Sequence, residues 1–266
     1  GHTIKDACRL SHAMCSLLDI PSIHCQPAYE DAFHYLQKDQ SLPNNIDLLA
    51  QNVKSDLDRR RLAALIDRGV SVPTGLEIPN GRGDDKKQWK SSLWPMKRER
   101  IVLIPGDSPM GLRLPLYSLP LPATGDEELP IQRDPFAARE PLVKRTDIRF
   151  AGPIPTHSQL SAAEEAILSN KRIAEALKLE QEALEKEALK NDKKQAPAEV
   201  VRTAMCIEAR EGRLHIFMPP LEYLEDYIVL VAAIEEAATK LSLPVIIEGY
   251  EPPKDPRLLK LLVTPD

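Results

Sequence analysis

The sequence predicts an α+β fold, and three observations carry that prediction. Val200–Ile207 and Arg213–Met218 alternate apolar and polar residues as strands do. A helix-period run, Leu221–Leu241, follows them, and then further short apolar runs. Upstream, Val70 to Pro120 consists of short β-like runs divided by Pro and Gly. The expected architecture is an irregular N-terminal α/β part (1–155), a long charged helical insertion (156–198) and a C-terminal part (199–266). That last part is expected to be a β-β-α-β-β antiparallel-type sheet with its helix on one face.

Taken in order, Ile4 to Leu18 reads as a short amphipathic helix, with Ile4, Ala7, Leu10, Met14, Leu17 and Leu18 spaced three and four apart and Pro21 as its stop. Pro27-Ala28-Tyr29-Glu30-Asp31 leads into a second helical pattern around Ala32 to Gln37. Asp47 to Arg68 predicts a longer helix ending at Gly69. Arg100–Ile104 and Leu112–Leu114 predict strands around a Pro-Gly corner, and Pro120 to Pro155 reads as loop. Ser158 to Lys194 is rich in strong helix formers, with Ser161 and Glu164 at capping-box spacing and opposite charges four apart. No heptad is sustained there, so a solvated spacer helix is expected. Beyond the hairpin, the helix should bury Leu224, Ile228, Val231 and Ile234, and Leu243–Glu248 and Leu258–Val263 should add two strands.

Composition removes several function classes. A formal net charge of -5 and a pI near 5.8 give no electrostatic footprint for nucleic acid. No apolar run reaches the roughly 20 residues that span a bilayer. Four unevenly placed cysteines do not make a disulfide framework, so reduced thiols in a cytoplasm are expected. Cys8, His12, Cys15, His24, Cys25 and His34 crowd the N-terminal region, but the CxxC pairs typical of structural zinc are missing.

The hairpin carries the most chemistry. Period two sends Met205, Ile207, Leu214, Ile216 and Met218 to one face. Arg202, Ala204, Cys206, Glu208, Arg213, His215 and Phe217 go to the other, with Glu208 expected opposite Arg213. In the next strand Ile246 and Glu248 share a face, and Arg257 follows. Carboxylates beside arginines suit a nucleotide and Mg²⁺ site, since Mg²⁺ takes hard oxygen ligands and guanidinium pairs with phosphate. A solvated outer face with one cross-strand ion pair accounts for the same pattern. The corner Ile104-Pro105-Gly106-Asp107-Ser108-Pro109 lacks the Lys and spacing of a P-loop; beside it Arg113 is the residue expected to face a ligand.

Several blocks together resemble a bacterial family of amidoligases. These are Pro27-Ala28-Tyr29-Glu30-Asp31 with His34-Tyr35-Leu36 and Leu42-Pro43, then Trp89-Lys90-Ser91-Ser92-Leu93-Trp94-Pro95, then the Ile104–Pro109 corner with Gly111–Leu116. Arg202-Thr203-Ala204, Cys206-Ile207-Glu208, Gly212-Arg213-Leu214, Phe217–Pro220, Glu248–Pro253 and Asp255-Pro256-Arg257 complete the series, in order across nearly the whole chain. Members are fused behind, or encoded beside, transglutaminase-like proteins. The resemblance implies a glutamine-synthetase-like fold that joins a carboxylate to an amine with ATP and Mg²⁺, on a peptide-like or amino-acid-like substrate. It implies Glu208 and Glu248 as catalytic metal ligands, His215 as a substrate-positioning residue, and Arg202, Arg213, Arg257 and Arg113 as binders of phosphate or carboxylate. The family pattern also includes a GGEPT-like block upstream and a GGGNH-like block downstream, so this chain is expected to be an internal piece of a larger enzyme. The alternative is a non-catalytic or decayed module that docks a transglutaminase-like partner.

Overall fold

The computed structural model describes residues 1–32, 34, 69, 71–82, 88–96, 100–106, 111–120, 139–168, 178–179, 200–259 and 261. Among them are nine strands: β1 (Gln26–Glu30), β2 (Gly75–Pro79), β3 (Gly81–Arg82), β4 (Trp89–Lys90), β5 (Ile101–Pro105), β6 (Leu112–Arg113), β7 (Ala204–Arg210), β8 (Arg213–Met218) and β9 (Val245–Gly249). Three helices accompany them: α1 (Ile4–Leu17), α2 (His157–Leu168) and α3 (Leu224–Leu241). Seven strands form one sheet in the order β6-β5-β1-β2-β7-β8-β9, and β3 pairs with β4 as a separate ribbon. The α+β class stands, but the sheet is mixed rather than antiparallel. β1 pairs in parallel with β5, and β8 with β9 across the α3 crossover.

The C-terminal strands do not make a sheet of their own. β2 joins β7 through five antiparallel rungs from Gly75↔Glu208 to Pro79↔Ala204, so N- and C-terminal strands share one surface. No strand follows β9 among the described residues; Leu258, Leu259 and Leu261 lie in irregular backbone, all three exposed. The expected β-β-α-β-β order therefore reads β-β-α-β in what is described.

Each face of the sheet has its own core. Leu76, Ile78, Met205, Ile207, Leu214, Ile216 and Met218 are fully buried beneath α1 and α3, together with Leu10, Met14, Leu230 and Ile234. Of the helix positions expected to be buried, Leu224 and Ile234 are, while Ile228 and Val231 are half-buried. The burial of Leu230, Ala233 and Ala237 shows the apolar stripe centred slightly around the helix from the one read. α2 is not a solvated spacer over its described length. Leu160 and Ile167 are buried, and Glu164 meets Lys5 of α1 at 3.4 Å. Its start is held by Thr156, whose N–H donates to Gln159 Oε1 at 2.8 Å, rather than by Ser161 and Glu164. The remainder of the charged stretch, and the helices expected around 32–37 and 47–68, lie almost wholly outside the described residues.

On the opposite face Ala28, Ile101, Leu103, Leu112 and Ala204 are covered by Trp94, Met96 and Leu119. Residues 91–95 form a strap sewn to β1, to β2 and to the segment that leads into β7. Gln26 of β1 acts as a backbone mimic, accepting from Trp94 N–H at 2.7 Å and donating to the Trp94 carbonyl at 3.3 Å. Ser91 donates to the Pro79 carbonyl at 2.5 Å, and Trp94 Nε1 donates to the Val201 carbonyl at 2.7 Å. Two of the sequence blocks, PAYED and WKSSLWP, are thus partners in one piece of sheet covering.

Candidate active site on the sheet

The β7–β8 hairpin turns in two residues. Glu211 (φ 52) and Gly212 (φ 73) both lie at positive φ, the pattern of a type I′ turn, whose twist suits the flanking strands. A turn this tight moves the register by two residues from the one expected. Glu208 lies opposite His215, Cys206 opposite Phe217, and Arg210 opposite Arg213. A two-residue slip preserves the faces, so the side-chain sorting holds while the neighbours change.

Four strands bring polar groups to the same face of the sheet, beside the strap. Opposite residues share a face, which aligns Glu77 with Cys206, Glu208 with His215, and Phe217 with Glu248. Gly75, opposite Glu208, makes the approach possible: a Cβ there would lie 3.2 Å from Cys206 Sγ and 3.3 Å from Glu208 Cβ. Arg210 ties the cluster together. Its Nη1 lies 3.1 Å from Glu208 Oε1, and its Nη2 donates to Glu248 Oε2 and Oε1 at 2.8 and 3.0 Å. The same nitrogen lies 2.6 Å from His215 Nδ1. Guanidinium only donates, so Nδ1 is the acceptor and the ring proton sits on Nε2. The 3.4 Å approach of Nδ1 to Glu248 Oε2 is therefore a contact and not a hydrogen bond in that state.

Glu77 is the residue that sequence reading missed. It is 0 % exposed, and among the described residues neither carboxyl oxygen meets an N–H or O–H donor; the Cys206 thiol is the polar group beside it. Burial pushes its pKa up to about 8; the Cys206 thiol eases this a little, and the Glu208 charge adds to it. The same burial, with Glu77 and Glu208 nearby, raises the Cys206 thiol well above its ordinary range. One available signal was a lone acid in the apolar run Gly75-Leu76-Glu77-Ile78-Pro79, where an isolated buried charge is costly without a purpose. Arg210 was missed because it was assigned to the hairpin loop.

The structure brings Glu208, His215 and Glu248 together through Arg210, with Arg213 exposed across the turn. The other arginines are engaged elsewhere. Arg202 donates to the carbonyls of Leu116 and Pro120 at 3.3 and 2.5 Å, holding the loop that carries Leu119. Arg257 is bound by Asp255 and by Glu225 at 2.7 Å, and these bonds hold the Asp255 carboxyl well below the usual carboxylate range. Arg113 lies on β6, at the far edge of the sheet from β9, and its register opposite Ile104 turns it to the other face. Its side chain lies across Gly106, whose N–H closes the corner on the Gly111 carbonyl at 2.9 Å. Asp107 and Ser108 lie outside the described residues.

Among the described residues no three His, Cys, Asp or Glu side chains are arranged to hold a metal ion, at the hairpin or in the N-terminal cysteine region. Cys8, Cys15 and Cys25 are buried free thiols that meet in the α1 core, where burial raises Cys8 and contact with Cys15 and burial raise Cys25. No helix among the described residues is long and apolar enough to cross a membrane.

One family model matches the chain over residues 1–266; its description reads "Putative amidoligase enzyme". No curated protein and no solved structure matches.

Proposed function

The chain belongs to that amidoligase family, and from this premise we propose that the open face around Glu77, Glu208, His215 and Glu248 is the catalytic end of an ATP-dependent carboxylate–amine ligase. The observation that supports the reading is Glu77, a fully buried carboxyl group that among the described residues meets no N–H or O–H donor. A group so placed costs stability unless a ligand satisfies it, and Glu208 stands near enough on this face to raise its pKa further. The donor chemistry fits a hard divalent cation such as Mg²⁺, which takes carboxylate oxygens. Glu208 and Glu248 are the carboxylates proposed to hold it, and when bound it would neutralise phosphate oxygens. As they stand, Arg210 bridges them, and among the described residues no three acidic side chains are arranged to hold a metal ion.

The remaining roles follow from charge and position. Arg213, exposed at the mouth of the hairpin, supplies a cation for phosphate or for the carboxylate being activated. His215, whose Nδ1 faces Arg210, presents Nε2–H as a donor to substrate. In a ligase of this class a carboxylate oxygen takes the γ-phosphoryl group of ATP as the β–γ bridging P–O bond breaks. The amine then forms a C–N bond as phosphate leaves, and loses a proton. The substrates are proposed to be peptide-like or amino-acid-like, and a transglutaminase-like protein is the proposed partner.

Calorimetry of Mg·ATP on this chain tests the reading. Glu208→Ala and Glu248→Ala should each weaken binding by at least about tenfold, the scale of losing one charge-assisted contact. Full-strength binding in both variants, with folding intact by circular dichroism, would overturn it.

A further inference from the structure

We propose that the cavity beside β1 and β5 is the pocket of the amine substrate, and that it selects a zwitterion: an amino acid or short peptide whose carboxylate meets Arg100 and whose ammonium meets Glu30 and Asp31. The proposal rests on the ligase reading of the adjoining face and adds the place and the charge pattern of one substrate.

The cavity has a volume of about 1140 Å³, ample for a ligand of that size. Its lining comes from both faces of the sheet. Tyr29 and Val102 lie opposite each other on one face, while Glu30, opposite Leu103, lies on the other. The cavity therefore passes across the outer edge of β5, where β6 pairs only with Ile104 and Pro105 among the described residues. Val102, Ile104, Met96 and Leu119 make its wall apolar.

Charge is sorted to the two ends of this wall. Arg100 is exposed just before β5, with its guanidinium over the Tyr29 ring, 4.9 Å from the centroid. Tyr29 is buried, so the stacking fixes the guanidinium plane and leaves the in-plane N–H donors to receive a carboxylate. Glu30 and Asp31 form the other end. Arg100 precedes Leu103, the partner of Glu30, by three residues, which separates the ends by about 10 Å along the strands. Thr74 Oγ1 donates to Glu30 Oε1 at 3.4 Å, and the His34 N–H to Asp31 Oδ1 at 3.3 Å. A carboxylate has about four lone-pair sites, so these bonds do not close either acid to an ammonium. A simple anion would match Arg100 alone and a simple cation the acids alone. A molecule with both charges across an apolar stem matches the whole wall.

The register also orients such a molecule. Ala28 pairs with Gly75 and Gly75 with Glu208, so Glu30, two residues on from Ala28, takes the face that carries Glu208 and His215. Only β2 stands between β1 and β7, a separation of about 9.5 Å. The ammonium end thus approaches the candidate active site while Arg100 holds the carboxylate end away from it. The ammonium gives one proton to solvent to become a nucleophile. The nitrogen loses a second as the C–N bond forms and phosphate leaves.

Calorimetry on the 266-residue chain tests this with 6-aminohexanoate, which carries both charges, hexanoate, which carries the anion, and hexylamine, which carries the cation. Wild type should bind 6-aminohexanoate at least about tenfold more tightly than either single-charge probe, the scale of one charge-assisted contact. Arg100→Gln should weaken 6-aminohexanoate about tenfold and leave hexylamine unchanged. Glu30→Gln should weaken it and leave hexanoate unchanged, with folding checked by circular dichroism. The inference is overturned if wild type binds none of the probes, binds all three equally, or binds in a way that neither variant alters. Mg·ATP binding that depends on Glu208 would in that case leave the ligase reading standing. Probe binding as expected, with no binding of Mg·ATP, would overturn that reading and the assignment to an amine substrate with it.

Discussion

At the scale of the residue, Glu77 decides how the candidate site behaves with pH. Its folded pKa near 8 lies above the ordinary 4.5, so the folded chain keeps a proton that the unfolded chain releases between those values. Stability contributed by that proton is complete below about 4.5 and is lost as pH rises toward about 8. Wild type should therefore lose on the order of a few kcal/mol of folding free energy across this interval. Glu77→Gln, which carries no titrating proton, should show a much flatter profile in urea unfolding at pH 5 and pH 8. An unchanged slope in the variant would place the titrating group elsewhere. Asp255 acts in the other direction and outside this window. Its depressed pKa gives stability that is present above 3.8 and is lost only in strong acid, so it does not mask the Glu77 effect.

At the scale of the element, the strap and its strand show what side-chain mimicry contributes. Gln26 is buried and supplies both an acceptor and a donor to the main chain of Trp94. Gln26→Ala leaves the buried Trp94 N–H without its acceptor, while the Trp94 carbonyl keeps the Met96 N–H, which should cost about 1–3 kcal/mol in equilibrium unfolding. A loss within experimental error of zero would mean that the strap is not held through Trp94. The same elements mark the limit of what the sequence made legible. Period two sorted the β7–β8 side chains to the correct faces and period 3.6 found α1 and α3, because both signals are local. The register was not local in this sense. It depended on a two-residue turn through Glu211 and Gly212, which looked like a five-residue loop. β1 was hidden by Pro27, which a strand interior rarely tolerates. It is tolerated here because β5 pairs with β1 only from Ala28 onward. Glu77 and Arg210 reached the site through pairings that no spacing announces: Glu77 meets Cys206 across 129 positions of chain (206 less 77).

At the scale of the whole molecule, the sheet makes one cooperative unit out of what reads in sequence as two parts and an insertion. β2 and β7 share five rungs, and α1 packs with α3 over strands from both parts, so neither part keeps its core if the other unfolds. Both tryptophans, Trp89 and Trp94, belong to the N-terminal part, so their fluorescence reports on that part, while far-UV circular dichroism also follows α3. The two signals should trace a single urea transition with one midpoint. Leu10→Ala in α1 and Ile216→Ala in β8 each empty the same core and should cost about 2–5 kcal/mol. Each should shift both signals equally, whichever part carries the substitution. A fluorescence midpoint that moves with Leu10→Ala but stays fixed with Ile216→Ala would show two independently folding parts. The candidate site would then be an interface that opens between them, because Glu77 belongs to one part and Glu208, His215 and Glu248 to the other. A shared midpoint instead means that Glu77, Glu208, His215 and Glu248 are fixed to one sheet whose strands do not separate.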